Sequence, residues 1–446
     1  MNDLPDGWAS TTIGEVAAFG PKHPPDTPRD QKVAFVPMPA VNEFSGEVDA
    51  PQERELAEVW SGYTHFRSGD VICAKITPCM ENGKAAVVRH LPHDLACGST
   101  EFHVLRPGAG ICADYLWRFL RQKTFREDAE HSMTGAVGQR RVPADFLKQA
   151  PLPVPPTAEQ RRIVAKVDSL SAKSSRARDH LDDIPRLVEK YKEMIVATSL
   201  AGSTTQHWRG QRGLFDPRRQ SLSDVAEDFS YGSAAKSAAH GSVPVLRMGN
   251  IQGGRLDWSD LVYTSDDREI GKFRLRSGDV LFNRTNSPAL VGKTALFRGE
   301  REAIYAGYLI RIRCTPDLHP AFLSLYLNSP LGRAYCWSVK TDGVSQSNIN
   351  ARKIAAFEML VPTIDEQREI VRRIEAAFAW IDRLAAGATS ARKLVDRLDQ
   401  AVLAKAFRGK LVPQDPTDEP ASALLARIKA ERTTTSAPSR RRNKAT

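Results

Sequence analysis

The sequence has 446 residues, 41% hydrophobic and 26% charged, ordinary for a folded soluble chain and enough for two or three domains with sizeable cores. No run approaches the ~20 apolar residues of a membrane helix, and the start MNDLPDGWAST carries no basic or apolar leader, so no membrane association and a cytoplasmic location are expected. The net charge of +10 is uneven: 1–150 holds 16 basic against 20 acidic residues and 206–353 holds 21 against 14, so binding to a polyanion must rest on local patches.

In chain order, the turn-rich entry Leu4-Pro5-Asp6-Gly7-Trp8 leads into Thr12-Ile13-Gly14-Glu15-Val16, which returns as Ser221-Leu222-Ser223-Asp224-Val225. Short β-like runs follow at Lys32-Val33-Ala34-Phe35-Val36 and at Val243-Pro244-Val245-Leu246-Arg247-Met248. Phe66-Arg67-Ser68-Gly69-Asp70-Val71-Ile72 then recurs as Leu275-Arg276-Ser277-Gly278-Asp279-Val280-Leu281. Several such matches in one order, about 207–209 apart, identify a tandem repeat. The Ser-Gly-Asp-Val element reads as a tight turn opening a buried strand.

After that strand each copy has a loop with one basic residue before the turn and Gly-Lys after it. The first runs from Ala74 and Lys75 through Thr77 to Gly83 and Lys84; the second runs from Asn283 and Arg284 through Asn286 and Ser287 to Gly292 and Lys293. A shared frame with a variable middle is what two readers of different sequences need. Short helices are expected over 113–123 and 320–331. Beyond them lie Thr134-Gly135-Ala136-Val137-Gly138-Gln139-Arg140-Arg141-Val142 and Thr341-Asp342-Gly343-Val344-Ser345-Gln346-Ser347-Asn348-Ile349. Amide forks, guanidinium groups and backbone N–H groups in a loop suit phosphate oxygens and major-groove base edges. The candidate DNA contacts are therefore Lys75, Thr77, Lys84, Gln139, Arg140 and Arg141 in the first copy. Those in the second are Arg284, Asn286, Ser287, Lys293, Gln346, Ser347 and Asn348.

The segment 158–202 has a heptad stripe through Val167, Leu170, Ala177, Leu181, Ile184, Val188, Tyr191 and Ile195, with Ser174 as its polar member. The stripe returns over 365–409 at Ile374, Ala377, Ile381, Leu384, Ala388, Ala391, Val395, Leu398 and Val402. Two such helices of ~40 residues, each ~60 Å long, should pack against one another. Proline-rich Pro151-Leu152-Pro153-Val154-Pro155-Pro156 introduces the first, and Pro185 inside it predicts a kink or short break. A short amphipathic helix is expected over 421–431, and the basic run Arg440-Arg441-Arg442-Asn443-Lys444 reads as a disordered tail.

No catalytic constellation is visible. There is no GxxxxGK[ST] loop, and Gly249-Asn250-Ile251-Gln252-Gly253-Gly254 does not give GxGxxG. Asn286-Ser287-Pro288 lacks the second proline and the aromatic residue of an amino-methyltransferase pocket. His90, His93, Cys97 and His103 fit no common zinc spacing, and the six cysteines include no CxxC and read as reduced thiols. No metal and no cofactor are expected in this chain, and a repeated, helix-linked chain without chemistry points to recognition and assembly.

The whole chain resembles the specificity subunits of type I restriction–modification systems. The resemblance is carried by Leu4-Pro5-Asp6-Gly7-Trp8, by Glu159-Gln160-Arg161-Arg162-Ile163-Val164 after the proline run, and by Glu366-Gln367-Arg368-Glu369-Ile370-Val371. It is most specific in Phe407-Arg408-Gly409-Lys410-Leu411-Val412-Pro413-Gln414-Asp415-Pro416 running into Glu419-Pro420-Ala421. It implies an α+β chain in which two mixed α/β target-recognition domains, 1–150 and 206–358, alternate with conserved helical regions, 151–205 and 359–412, followed by an extension over 413–446. The helices would pair as an antiparallel coiled coil with pseudo-twofold symmetry. Each domain would read one part of a split, asymmetric double-stranded DNA site. The helices would dock two methyltransferase subunits carrying S-adenosylmethionine, and motor-nuclease subunits would bring ATP and magnesium. The net-acidic first domain departs from this picture. The competing reading is a non-catalytic coiled-coil scaffold that binds proteins rather than DNA.

Overall fold

The computed structural model describes residues 4–435 apart from 44, 137 and 345; the Arg440–Lys444 run lies outside the described residues. The chain divides into two compact units, 1–181 with 391–446, and 182–390. Both contain the same mixed α/β arrangement, as a duplicated sequence requires.

In the first unit the wholly buried strand Val71–Ala74 lies between Phe102–Pro107 and Ala85–Val87, with Ala17–Phe19 at the edge. In the second, Val280–Asn283 lies between Leu309–Cys314 and Thr294–Leu296, with Ala226–Tyr231 at the edge. A second sheet in each unit contains a parallel pair, Lys32–Val36 with Leu95–Gly98 and Val243–Leu246 with Ile304–Tyr305. The register is conserved: Val71 faces Leu105 where Val280 faces Ile312.

Each domain closes on itself before the helix begins. Ala9–Thr12 pairs antiparallel with Pro151–Val154, and Arg218–Ser221 pairs with Glu358–Val361. Entry and exit strands thus lie side by side, so each domain is clamped to the root of the long helix that follows. The expected short helices are Ala113–Leu120 and Pro320–Asn328, each followed by another, Lys123–His131 and Pro330–Val339.

The long helices are Thr157–Leu200 and Ile364–Ala406. Pro185 does not interrupt the first. It is exposed, so water can take the carbonyl that its missing N–H leaves free. Within the first unit, Ile163 and Val167 pack with Val402, Leu403 and Phe407, while Arg178 pairs with Asp396 at 3.1 Å and with Asp399. Within the second, Val196 and Leu200 pack with Ile370 and Ile374, and Lys192 reaches Asp382 at 2.6 Å. Rising numbers on one helix meet falling numbers on the other in both units, so the pairing is antiparallel.

Of the expected seam, Val167, Ile374, Ile381 and Val402 are buried, and Leu170, Leu181, Ile184, Val188, Ile195 and Val395 are half-buried. Tyr191, Leu384 and Leu398 depart from the expectation, at 52%, 53% and 55% exposure. Their places are taken by the next residues, Lys192, Ala385 and Asp399. A straight helix of 3.6 residues per turn drifts against a 3.5-residue repeat, and the ion pairs of Lys192 and Arg178 fall where the drift brings them inward.

The C-terminal helix, Ala421–Thr435, is longer than expected and belongs to the first unit's core through Ala421, Leu424 and Ile428. Among the described residues, no helix is long and apolar enough to cross a membrane.

Candidate nucleic-acid interface

The Ser-Gly-Asp turn is structural in both copies. Gly69 and Gly278 take φ values of +91° and +96°, which a side chain would strain. Asp70 is buried, accepts the Arg67 amide at 2.9 Å and is forked by Arg106 at 2.8 and 2.7 Å. Asp279 does the same with the Arg276 amide at 2.8 Å and with Arg313 at 2.8 and 3.3 Å. Each turn therefore fixes where the strand after it begins, and that strand leads directly into the variable loop.

That loop meets the second candidate loop at one crossing in each domain. In the first, the Lys75 amide donates to the Glu101 carbonyl at 2.9 Å and the Val142 amide donates to the Lys75 carbonyl at 2.8 Å. In the second, the Arg284 amide donates to the Tyr308 carbonyl at 3.0 Å and the Ile349 amide to the Arg284 carbonyl at 2.9 Å. Arg141 bridges both Ile76 and Thr134, as Asn348 pairs with both Thr285 and Thr341. The two backbone frames are the same; the side chains on them are not.

At the first crossing Glu101 forks Arg141, with Nε and Nη2 each at 2.9 Å, and the Arg141 hydrogen bond holds the Glu101 carboxyl below its ordinary pKa. Arg141 Nη1 also donates to the Gln139 carbonyl at 3.0 Å. Arg140 lies 3.5 Å from Glu130 and 4.0 Å from Glu81, and Thr77 donates to Glu81 at 2.9 Å. Both arginines thus stay partly exposed, at 39% and 42% of their side-chain surface, while paired with acidic neighbours. Gln139 is exposed, and Lys84 donates to the Met38 carbonyl at 3.4 Å.

At the second crossing Arg284 Nη2 donates to Asn348 Oδ1 at 3.1 Å, its Nη1 to the Gly307 carbonyl at 3.3 Å, and its guanidinium lies 4.7 Å from the Tyr231 ring. Asn348 Nδ2 donates to Thr285 Oγ1 at 2.8 Å. Asn286 accepts the Ser287 amide at 2.8 Å, and Lys293 reaches Gln252 at 3.3 Å. Gln346 is exposed at the loop beside Val344. Ser347 departs from the expectation: it is buried, with its hydroxyl committed to Asp342, because the short strand pairing turns that position inward.

Sequence reasoning missed Glu101 and Tyr308, the third member of each crossing; the repeat offset of 207 relating them was the available signal. Tyr308 is 48% exposed. Of the histidines and cysteine weighed as a metal cluster, His93 bonds Glu53 at 2.8 Å, His103 bonds the Val142 carbonyl at 2.8 Å and Cys97 lies 3.8 Å from His23. Among the described residues, no group of three or more His, Cys, Asp or Glu could hold a metal ion.

Two copies of one loop frame with different side chains, each rooted on a long helix, define a recognition protein with duplicated reading domains. Residues 5–181 match the family model described as the Type I restriction modification DNA specificity domain. The EcoKI specificity subunit of Escherichia coli K12 is 30% identical over 385 residues, 80% of this chain and 82% of that one. The StySPI specificity subunit of Salmonella potsdam is 29% identical over 395 residues, covering 83% and 85%. The HsdS crystal structure from Thermoanaerobacter tengcongensis shares the fold with a TM-score of 0.67 at 23% identity, covering 92% of this chain and 98% of that one. This chain belongs to the family of type I restriction enzyme specificity subunits.

Proposed function

We propose that this chain is the DNA-reading subunit of a type I restriction–modification complex, each recognition domain reading one part of a bipartite, asymmetric site. The observation that carries this reading is the repeated crossing, Lys75, Glu101 and Arg141 in one domain and Arg284, Tyr308 and Asn348 in the other, on one backbone frame. Arginine pairs bidentately with guanine and asparagine with adenine, so the same frame reads different bases when those residues change.

The long helices set the spacer between half-sites and dock two methyltransferase subunits. Leu187, Tyr191, Met194, Trp380 and Leu384 in the second unit, and Leu394 and Leu398 in the first, are exposed apolar residues outside the seam, and such surface suits a protein partner. Methyl transfer to adenine, with S-adenosylmethionine, belongs to those subunits; ATP- and magnesium-dependent translocation and cleavage belong to motor-nuclease subunits. This chain contributes binding and position rather than catalysis.

The test is to express the chain with its methyltransferase partner and map methylated adenines on genomic DNA. A two-part motif with a fixed gap is expected. Methylation without a motif, or complexes that bind protein but no DNA, would favour the scaffold reading.

A further inference from the structure

Three residues come together at each crossing because three backbone segments are stitched together there: the residue that leads into one strand, the start of the variable loop and the return of the second loop. The stitching uses main-chain hydrogen bonds alone, so it leaves side-chain identity unconstrained. The occupants differ in shape at all three equivalent places, lysine against arginine, glutamate against tyrosine, and arginine against asparagine, and in charge at the last two. The neighbouring structural positions, by contrast, repeat their chemistry, as Asp70 with Arg106 and Asp279 with Arg313 do.

Resting on the DNA-reading function, we propose that these trios are the specificity-determining clusters of the two domains, and that Glu101 and Tyr308 are their unassigned members. The two act differently. Glu101 is a positioning residue: its carboxylate takes Arg141 Nε and Nη2 at 2.9 Å each, while Nη1 is held by the Gln139 carbonyl at 3.0 Å. A guanidinium held at three nitrogens has its plane fixed, and a fixed plane discriminates a guanine edge better than a mobile one. Tyr308 is a contact residue. Its backbone carbonyl anchors the Arg284 amide at 3.0 Å while the residue is 48% exposed, so it offers an aromatic face or a hydroxyl to DNA. Arg284 in turn orients Asn348 through its side-chain oxygen at 3.1 Å. In one domain a carboxylate aims an arginine; in the other an arginine aims an amide.

The experiment is selection of bound sites from random duplexes by the full complex with its methyltransferase subunits, comparing the wild type with Glu101→Gln, Tyr308→Ala and the triple exchange R284K/Y308E/N348R. Glu101→Gln keeps the side chain's size and is expected to relax preference at one position of the first half-site by about tenfold, leaving the second half-site and affinity for random DNA unchanged. Tyr308→Ala, at an exposed position, should relax the second half-site only. The triple exchange should move the second half-site's preference toward that of the first. An unchanged motif for both single variants, in complexes that still assemble, would overturn the proposal. A uniform loss on all sequences would overturn it too, assigning the trio to phosphate contact. If the wild type itself selects no motif, it is the DNA-reading function that fails.

Discussion

Gln160 and Gln367 make the same set of hydrogen bonds 207 residues apart. Gln160 accepts the Cys112 amide at 2.8 Å and donates to the Pro155 and Gly110 carbonyls at 3.1 and 3.4 Å. Gln367 accepts the His319 amide at 2.7 Å and donates to the Pro362 and Asp317 carbonyls, both at 2.8 Å. Both are fully buried at the root of a long helix, so each ties helix to domain through polar groups that have no water to fall back on. Beside them, Glu159 accepts from Trp8 at 3.1 Å and Gln414 at 3.2 Å, and Glu366 from Thr205 and Arg209 at 2.7 Å each. The residues following one helix thus brace the start of the other within each unit.

Gln367→Ala strands one backbone amide and two carbonyls, that of Pro362 buried, which should cost about 2 kcal/mol. Chemical denaturation followed by tryptophan fluorescence should show an earlier transition for the second unit, and Gln160→Ala should do the same for the first. A midpoint unmoved in both would mean that the junctions are not held this way.

The seam and the outer face should separate cleanly. Ile374→Asp puts a charge into a fully buried place and should destabilise the second unit by several kcal/mol. Leu384→Asp, at an exposed site, should leave thermal stability within about 0.5 kcal/mol. On the docking proposal it should nonetheless weaken capture of a methyltransferase subunit in a pull-down; intact capture would move that contact elsewhere.

Stability should fall on mild acidification. His23 is buried, stacked on His65 at 4.6 Å, and both burial and that neighbour lower its pKa to about 4. The unfolded chain takes up a proton near pH 6.5 and the folded chain does not, so stability is complete above that pH and is lost as pH falls toward 4. The effect of this one group is on the order of 3 kcal/mol. His23→Gln should flatten the slope of stability against pH over that interval, measured by denaturation at several pH values.

Gln346→Ala with Asn348→Ala should weaken binding to the cognate site more than binding to random DNA, since one side chain is exposed at the loop and the other sits at the crossing. Equal losses on both, in filter binding at fixed salt, would assign the loop to backbone contact.

Much of the architecture was legible in the residues alone. Repeated Arg-Ser-Gly-Asp-Val, paired Glu-Gln blocks and two heptad stripes determine a duplicated chain with two long helices, because turn chemistry and helical period act over a few residues. What lay beyond them was decided by packing. Leu398 and Asp399 differ by one position, and only the pitch of a real helix against its neighbour puts the aspartate inward to meet Arg178. Ser347 looked like a donor for DNA until strand pairing turned it inward, while Glu101 and Tyr308 gained meaning only when segments over 20 residues away in the chain crossed them. Local preferences specify which elements form; which side chains share one surface depends on long-range contacts, and those exist only once the chain has closed on itself.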